Sequence, residues 1–241
     1  MSNYVLHKSS SRGHANHGWL KVNHTFSFAN YYDSSRMNFG CLRVLNDDVI
    51  AASKGFDFHS HDNMEIITIP LSGSLRHQDN LGNGSVISEG DIQVMSAGTG
   101  VIHSEFNASS DKDVSVLQIW IFPNKKDVQP RYQQLSIDSL KTKNTFYQIL
   151  SPFPDDNGVW IHQNSWFSLA SLDSKKTIHY DINYPSNGIY IFVIQGGVQI
   201  EGIELSERDG VGFWDITEIS ISSLIDSEIL LMEVPMAITK L

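Results

Sequence analysis

Two stretches in opposite halves of this chain follow one pattern. Tyr190-Ile-Phe-Val-Ile-Gln-Gly-Gly-Val-Gln-Ile-Glu-Gly202 parallels Ile66-Ile-Thr-Ile-Pro-Leu-Ser-Gly-Ser-Leu-Arg-His77, and Arg208-Asp-Gly-Val-Gly-Phe-Trp214 parallels Ser88-Glu-Gly-Asp-Ile-Gln-Val94. Each is an apolar, β-branched run interrupted by glycine, and such self-similarity marks a duplicated structural unit. Further strand-like runs surround the first copy at 40–44, 49–52, 64–71, 73–78, 85–87, 91–95, 101–106 and 114–122. A second set follows at 159–163, 167–171, 177–181, 188–194, 197–200, 210–214, 218–222 and 228–234. Asn80-Leu-Gly-Asn-Gly84 reads as a hairpin turn, since Asn and Gly tolerate positive φ. Short strands at this spacing predict an all-β chain of two jelly-roll β-barrels in tandem. Pro123-Asn-Lys-Lys-Asp-Val-Gln-Pro-Arg131 breaks the pattern, which places a first domain at 1–135 and a second at 145–241.

Composition narrows the function classes. Hydrophobic residues at 41% of 241 support a substantial core, and charged residues are only 18%. The formal net charge of −10 and the lack of a Lys/Arg stripe argue against direct nucleic-acid binding, which needs clustered cations against phosphate. Residues 1–12 lack the apolar stretch of a secretory signal, and no segment has the length of a membrane span. A single cysteine, Cys41, excludes an intrachain disulfide and fits a reducing compartment; the expected location is the cytoplasm. Cys41 lies in an apolar run and reads as a small buried hydrophobe. No GxxxxGK[ST] or GxSxG pattern is present.

The chemistry points elsewhere. His59-Ser60-His61 and His103-Ser104-Glu105 share an i, i+2 spacing inside strand-like segments. Alternate side chains of a strand share a face, so the members of each pair point the same way and four ligand-type groups can converge between two strands. Neutral imidazoles with one carboxylate suit a divalent first-row transition metal with open positions for water, substrate or oxygen. Glu65 competes with Glu105 as the carboxylate, because it shares strand parity with His59 and His61; its other reading is a partner that orients a histidine. His14, His17 and His24 read as hydrogen-bonded structural histidines, and His77, near the hairpin, as solvated. Phe56, Phe58, Met95, Phe106 and Trp120 flank the motifs as candidates for an apolar cavity or the core.

The flanking residues carry a resemblance. Gly55-Phe-Asp-Phe-His59-Ser-His61-Asp-Asn-Met-Glu65 with Gly73, and the stretch from Gly90 through Gly98-Thr-Gly100, His103-Ser-Glu105 and Asn107, resemble the two motifs of the cupin superfamily. The first has fewer residues between its glycine and first histidine than the common pattern. Within cupins, the sequence is similar to the pirin-like proteins, which include the bacterial pirin-like quercetin 2,3-dioxygenases. This rests on Arg12-Gly-His-Ala-Asn-His-Gly-Trp19, His24-Thr-Phe-Ser-Phe-Ala-Asn-Tyr-Tyr-Asp33, Asn46-Asp-Asp48, Met95-Ser-Ala-Gly-Thr-Gly100, Gln118-Ile-Trp120 and Pro130-Arg-Tyr132. It covers most of residues 1–135 and continues more weakly to the C-terminus.

The resemblance implies a bicupin with one divalent metal held by His59, His61, His103 and Glu105. Iron is the first choice, with nickel, cobalt, copper, manganese and zinc as alternatives. It implies a dioxygenase that cleaves the heterocyclic ring of quercetin or a related flavonol with O2 and releases CO, with Glu105 as ligand or general base. The second copy lacks HxH and retains only His162 and His179, so it is expected to bind no metal. The rival reading is a non-enzymatic metal-binding regulator that acts through a protein partner, as some pirin relatives do. A sugar-phosphate isomerase is disfavoured because no Lys/Arg concentration near the motifs offers a phosphate clamp.

Overall fold

The computed structural model describes residues 3–238. Apart from two short 3-10 turns at Ser9–Ser11 and Asp138–Leu140, its regular elements are strands. Among the described residues, no helix is long and apolar enough to cross a membrane.

Each half is a pair of facing sheets with a jelly-roll cupin architecture, open at the edges rather than closed into a hydrogen-bonded barrel. In the first half a seven-stranded sheet has the order Arg131–Ser136, Asp91–Ser96, Glu65–Ser72, Val114–Ile121, Leu42–Ile50, Leu20–His24, Gly13–Asn16. It faces a four-stranded sheet ordered Gly55–His61, Val101–Asn107, Ser74–Asp79, Gly84–Ser88. The second half repeats the plan with seven and four strands. The hairpin expected at 80–84 joins Ser74–Asp79 to Gly84–Ser88; Asp79 caps it by accepting from the backbone N–H groups of Leu81 and Asn83.

Period-two alternation divides the residues between two faces. Ile67, Ile69, Leu117, Ile119, Ile121, Ile92 and Val94 of the first large sheet pack with Phe167, Tyr190, Phe192, Leu230, Met232 and Val234 of the second. The two large sheets therefore stand back to back over the largest apolar cluster. The inner face of the second half is filled by Ile189, Ile191, Val193, Val198, Ile200 and Phe213. The inner face of the first half instead carries polar groups. In register across it run His24, Asn46, Gln118, Thr68 and Gln93.

Two features differ from the sequence expectations. The runs at 40–44 and 49–52 are parts of one strand, Leu42–Ile50, because Asn46, Asp47 and Asp48 continue it as buried residues instead of turning. Asp47 faces the buried Arg12 at 3.2 Å and Arg208 at 3.5 Å, which explains a carboxylate there. The first strand, Asn3–His7, pairs not with the N-terminal half but with Gly210–Trp214. His7 Nδ1 lies 2.9 Å from the Tyr190 hydroxyl, so the chain start is built into the C-terminal sheet.

Candidate metal centre

The strand Val101–Asn107 runs between Gly55–His61 and Ser74–Asp79, and its register assembles the centre. His103 lies opposite His59 and Asp79, and Glu105 opposite Phe56 and His77. Opposite residues of antiparallel strands share a face. His59, His61, His103 and Glu105 thus project to the interior together, as the i, i+2 spacing predicts. A bulge between His103 and Glu105 shifts the pairing on the Gly55–His61 strand by an extra residue. It turns Phe56 inward and leaves Phe58 62% exposed. Gly55 is needed there, because an added Cβ would overlap the Glu105 carbonyl and Phe106 Cα.

Nitrogens of His59, His61 and His103 lie within 4.8 Å of one another. The ring centroids of His59 and His103 are 4.4 Å apart, and those of His61 and His103 4.9 Å. His59 Nδ1 is 2.8 Å from the Asp57 carbonyl, which can only accept, so Nδ1 carries a proton and Nε2 is the nitrogen left to meet a metal. Burial, with neighbouring histidines, pushes His61 down to about 4 and His103 down to about 2. Both are neutral near pH 7, the form that ligates metal.

The decisive detail is His103. Its ring is 2% exposed, yet neither nitrogen has a hydrogen-bond partner. A buried orphan of this kind costs about 1–3 kcal/mol, and a cation among the three imidazoles would satisfy one nitrogen. The donor set therefore fits a divalent transition metal. Glu105 lies beside this group, wholly buried, and accepts from Gln118 Nε2 at 3.1 Å and Thr68 Oγ1 at 3.4 Å. Burial raises its pKa, while the nearby His77 and His59 act in the opposite direction.

Among the other residues, His77, Glu65 and His17 are placed differently from the sequence reading. His77, expected to be solvated, is fully buried: it alternates inward across from Glu105, pairs with Asp79 at 3.2 Å and groups with His103 and Glu105 as potential ligands. The polar context Arg76-His77-Gln78-Asp79 hid it; the period-two count from Leu75 would have found it. Glu65 does not share the face of His59 and His61, because the chain turns at Asn63, φ 43°, and restarts with Ile66 and Thr68 inward. Glu65 accepts from Ser96 Oγ at 2.6 Å, and burial pushes it up to about 7. His24 is a buried structural histidine against Asn46 Oδ1 at 2.9 Å; His14 meets Asn23 on the surface, and His17 is exposed. Met95 and Phe106 do not line the cavity, whereas Phe56 and Trp120 do. In the second half His179 is exposed against Ser220 and His162 half-buried against Trp160.

A cavity of about 450 Å³ opens over the histidines. Its walls are largely aromatic and apolar, from Trp19, Phe28, Phe56, Ile66 and Trp120, and its size lies in the usual range for small-molecule sites.

A family model described as Pirin matches residues 5–121, and one for a quercetinase C-terminal cupin domain matches 148–234. The quercetin 2,3-dioxygenase of Escherichia coli (strain K12) is 44% identical over 231 residues, 95% of this chain and 98% of that protein. The chain belongs to the pirin family. A pirin-like protein of Caulobacter vibrioides is 40% identical over 222 residues, 92% of this chain and 95% of that one. The crystal structure of the bacterial pirin YhhW from Escherichia coli in complex with nickel(II) matches with a TM-score of 0.91 and 42% identity, covering 97% of this chain and 99% of that chain. The pirin fold thus spans both halves, and relatives along nearly the whole chain carry the quercetin 2,3-dioxygenase name.

Proposed function

We propose that this pirin is a metal-dependent dioxygenase acting on quercetin or a related flavonol in the cytoplasm. The observation that carries the reading is the group of three histidines and buried Glu105 at the base of an aromatic-walled cavity. His59, His61, His103 and Glu105 would hold one divalent ion, with iron as the resident metal. The unit at 1–135 carries the site, and that at 145–241 supports it without a metal.

When bound, the metal would lower the pKa of the flavonol 3-hydroxyl and orient the chelating 3-hydroxyl and 4-keto pair. In this reading Glu105 accepts the 3-hydroxyl proton, and the hydrogen bonds from Gln118 and Thr68 restrain its carboxylate. Trp19, Phe28 and Phe56 offer apolar faces to a planar ring system and exclude water from the reacting end. In the overall reaction O2 contributes both oxygen atoms to the ring-opened product, and one ring carbon leaves as CO.

The test is to load the purified protein anaerobically with one metal at a time, then follow oxygen uptake and CO release on adding quercetin. Equal molar O2 consumption and CO release is the expected result. Full metal occupancy without turnover by any of the candidate metals would reject the dioxygenase reading in favour of a metal-dependent binding protein that acts on a protein partner.

A further inference from the structure

Among the described residues, buried carboxylates find donors, with one exception. Glu233, fully buried in the second half, accepts from the Tyr180 hydroxyl, the backbone N–H groups of Asn183 and Tyr184, and the side-chain amides of Asn183 and Asn187. Asp47 meets Arg12 and Arg208. Its neighbour Asp48, 6% exposed, points to the opposite face of the same strand, and its Oδ1 has no partner. Its cross-strand neighbours are Val22 and Val116, members of an apolar cluster against which Trp19 and Phe56 pack. Asp48 is also part of the cavity wall. A carboxyl in such a wall destabilises the fold unless something arrives to hydrogen-bond it.

Asp48 is offset from the metal end. Gln118, which holds Glu105, pairs with Asn46, so Asp48 lies one strand across and two residues along, on the order of 7–8 Å away at the backbone. A planar ligand anchored at the histidines would reach it with a second part of its ring system.

Building on the flavonol reading, we infer that Asp48 is a specificity-determining residue: it accepts a hydrogen bond from a substrate hydroxyl apart from the metal-chelating pair, which makes the preferred substrate a polyhydroxylated flavonol. A site built to bond a hydroxyl rejects an analogue without one far more strongly than a purely apolar pocket does, because the buried acceptor is then left bare.

Quercetin and 3-hydroxyflavone share the chelating pair and differ in their other hydroxyls. Their binding to metal-loaded protein under anaerobic conditions is read by quenching of tryptophan fluorescence, with Trp19 and Trp120 in the cavity wall. Wild type is expected to bind quercetin at least ~10-fold more tightly than 3-hydroxyflavone, the worth of one good hydrogen bond to a buried carboxyl that is otherwise left bare. Asp48→Leu should reduce that ratio to within about 2-fold and raise Tm, because an unpaired polar group is replaced by one that suits its neighbours. Asp48→Asn, which keeps an acceptor oxygen, should retain most of the preference. An unchanged ratio in Asp48→Leu, no preference in wild type, or a drop of several degrees in the Tm of Asp48→Leu would overturn the assignment while leaving the dioxygenase reading intact. Failure of both compounds to bind metal-loaded wild type would overturn both.

Discussion

At the scale of single residues, the centre is a set of groups whose burial makes sense only together. His59 and His61 sit at the cavity with little else to bind, while the fold rests on the apolar clusters elsewhere. His59→Ala or His61→Ala should therefore lose metal while the metal-free protein keeps its wild-type melting temperature. Metal analysis with a thermal melt checks this, and full occupancy in either variant would remove that histidine from the ligand set. Glu105→Gln keeps size and an oxygen donor but cannot take a proton. Its turnover per bound metal should fall by roughly 10² to 10⁴, the range for loss of a general base; equal rates per metal would exclude Glu105 as base. Cys41 is 1% exposed, and burial pushes its thiol up to about 11. It should resist alkylation in the native protein at pH 8 and react once unfolded. Rapid labelling of the native thiol would contradict this placement.

At the scale of elements, the bulged pairing of Gly55–His61 with Val101–Asn107 orients the candidate ligands. Gly55→Ala must push these strands apart, since the new Cβ has only the Glu105 carbonyl and Phe106 backbone to meet. The expected outcome is reduced stability together with weaker metal binding, measured by denaturant titration and metal competition. A variant with wild-type metal affinity would show that this close approach does not position His59. Parity within a strand is legible in the amino-acid order, which is why HxH and HxE read as convergent pairs. Parity across a break is not. Glu65 loses the face of His61 at the Asn63 turn, and the Asn46-Asp47-Asp48 triplet resembles a turn although it continues a strand. The two departures differ in cause: a turn breaks the strand parity before Glu65, whereas Asn46 and Asp48 are polar because they face the cavity.

At the scale of the whole molecule, the two halves are joined by the apolar layer between their large sheets and by the first strand, which crosses into the second half. His7 on that strand reports on the junction. Burial, with Arg36 nearby and Asp33 opposing, pushes it down to about 4 from 6.5. Between those values the unfolded chain binds a proton that the folded chain does not. The contribution of His7 to stability is therefore full above about pH 6.5 and lost as pH falls toward 4. His7→Gln should show a smaller fall in Tm between pH 7 and pH 5 than wild type, and identical falls would refute a role for His7. The second half should also remain empty in a metal-soaked crystal. An anomalous map is expected to show one strong peak per chain, beside His103, and another at full occupancy near His162 or His179 would disprove this.

The amino-acid order alone determined the all-β duplication, the pirin resemblance and the pairing of His59 with His61 and of His103 with Glu105, because each depends on spacing within one short segment. Tertiary structure decided what depends on register between segments. It buried His77 opposite Glu105, turned Glu65 away, sent Asn3–His7 into the far sheet and left Asp48 without a donor in the cavity wall. Strand periodicity says which residues share a face; only the pairing of distant strands says what that face meets.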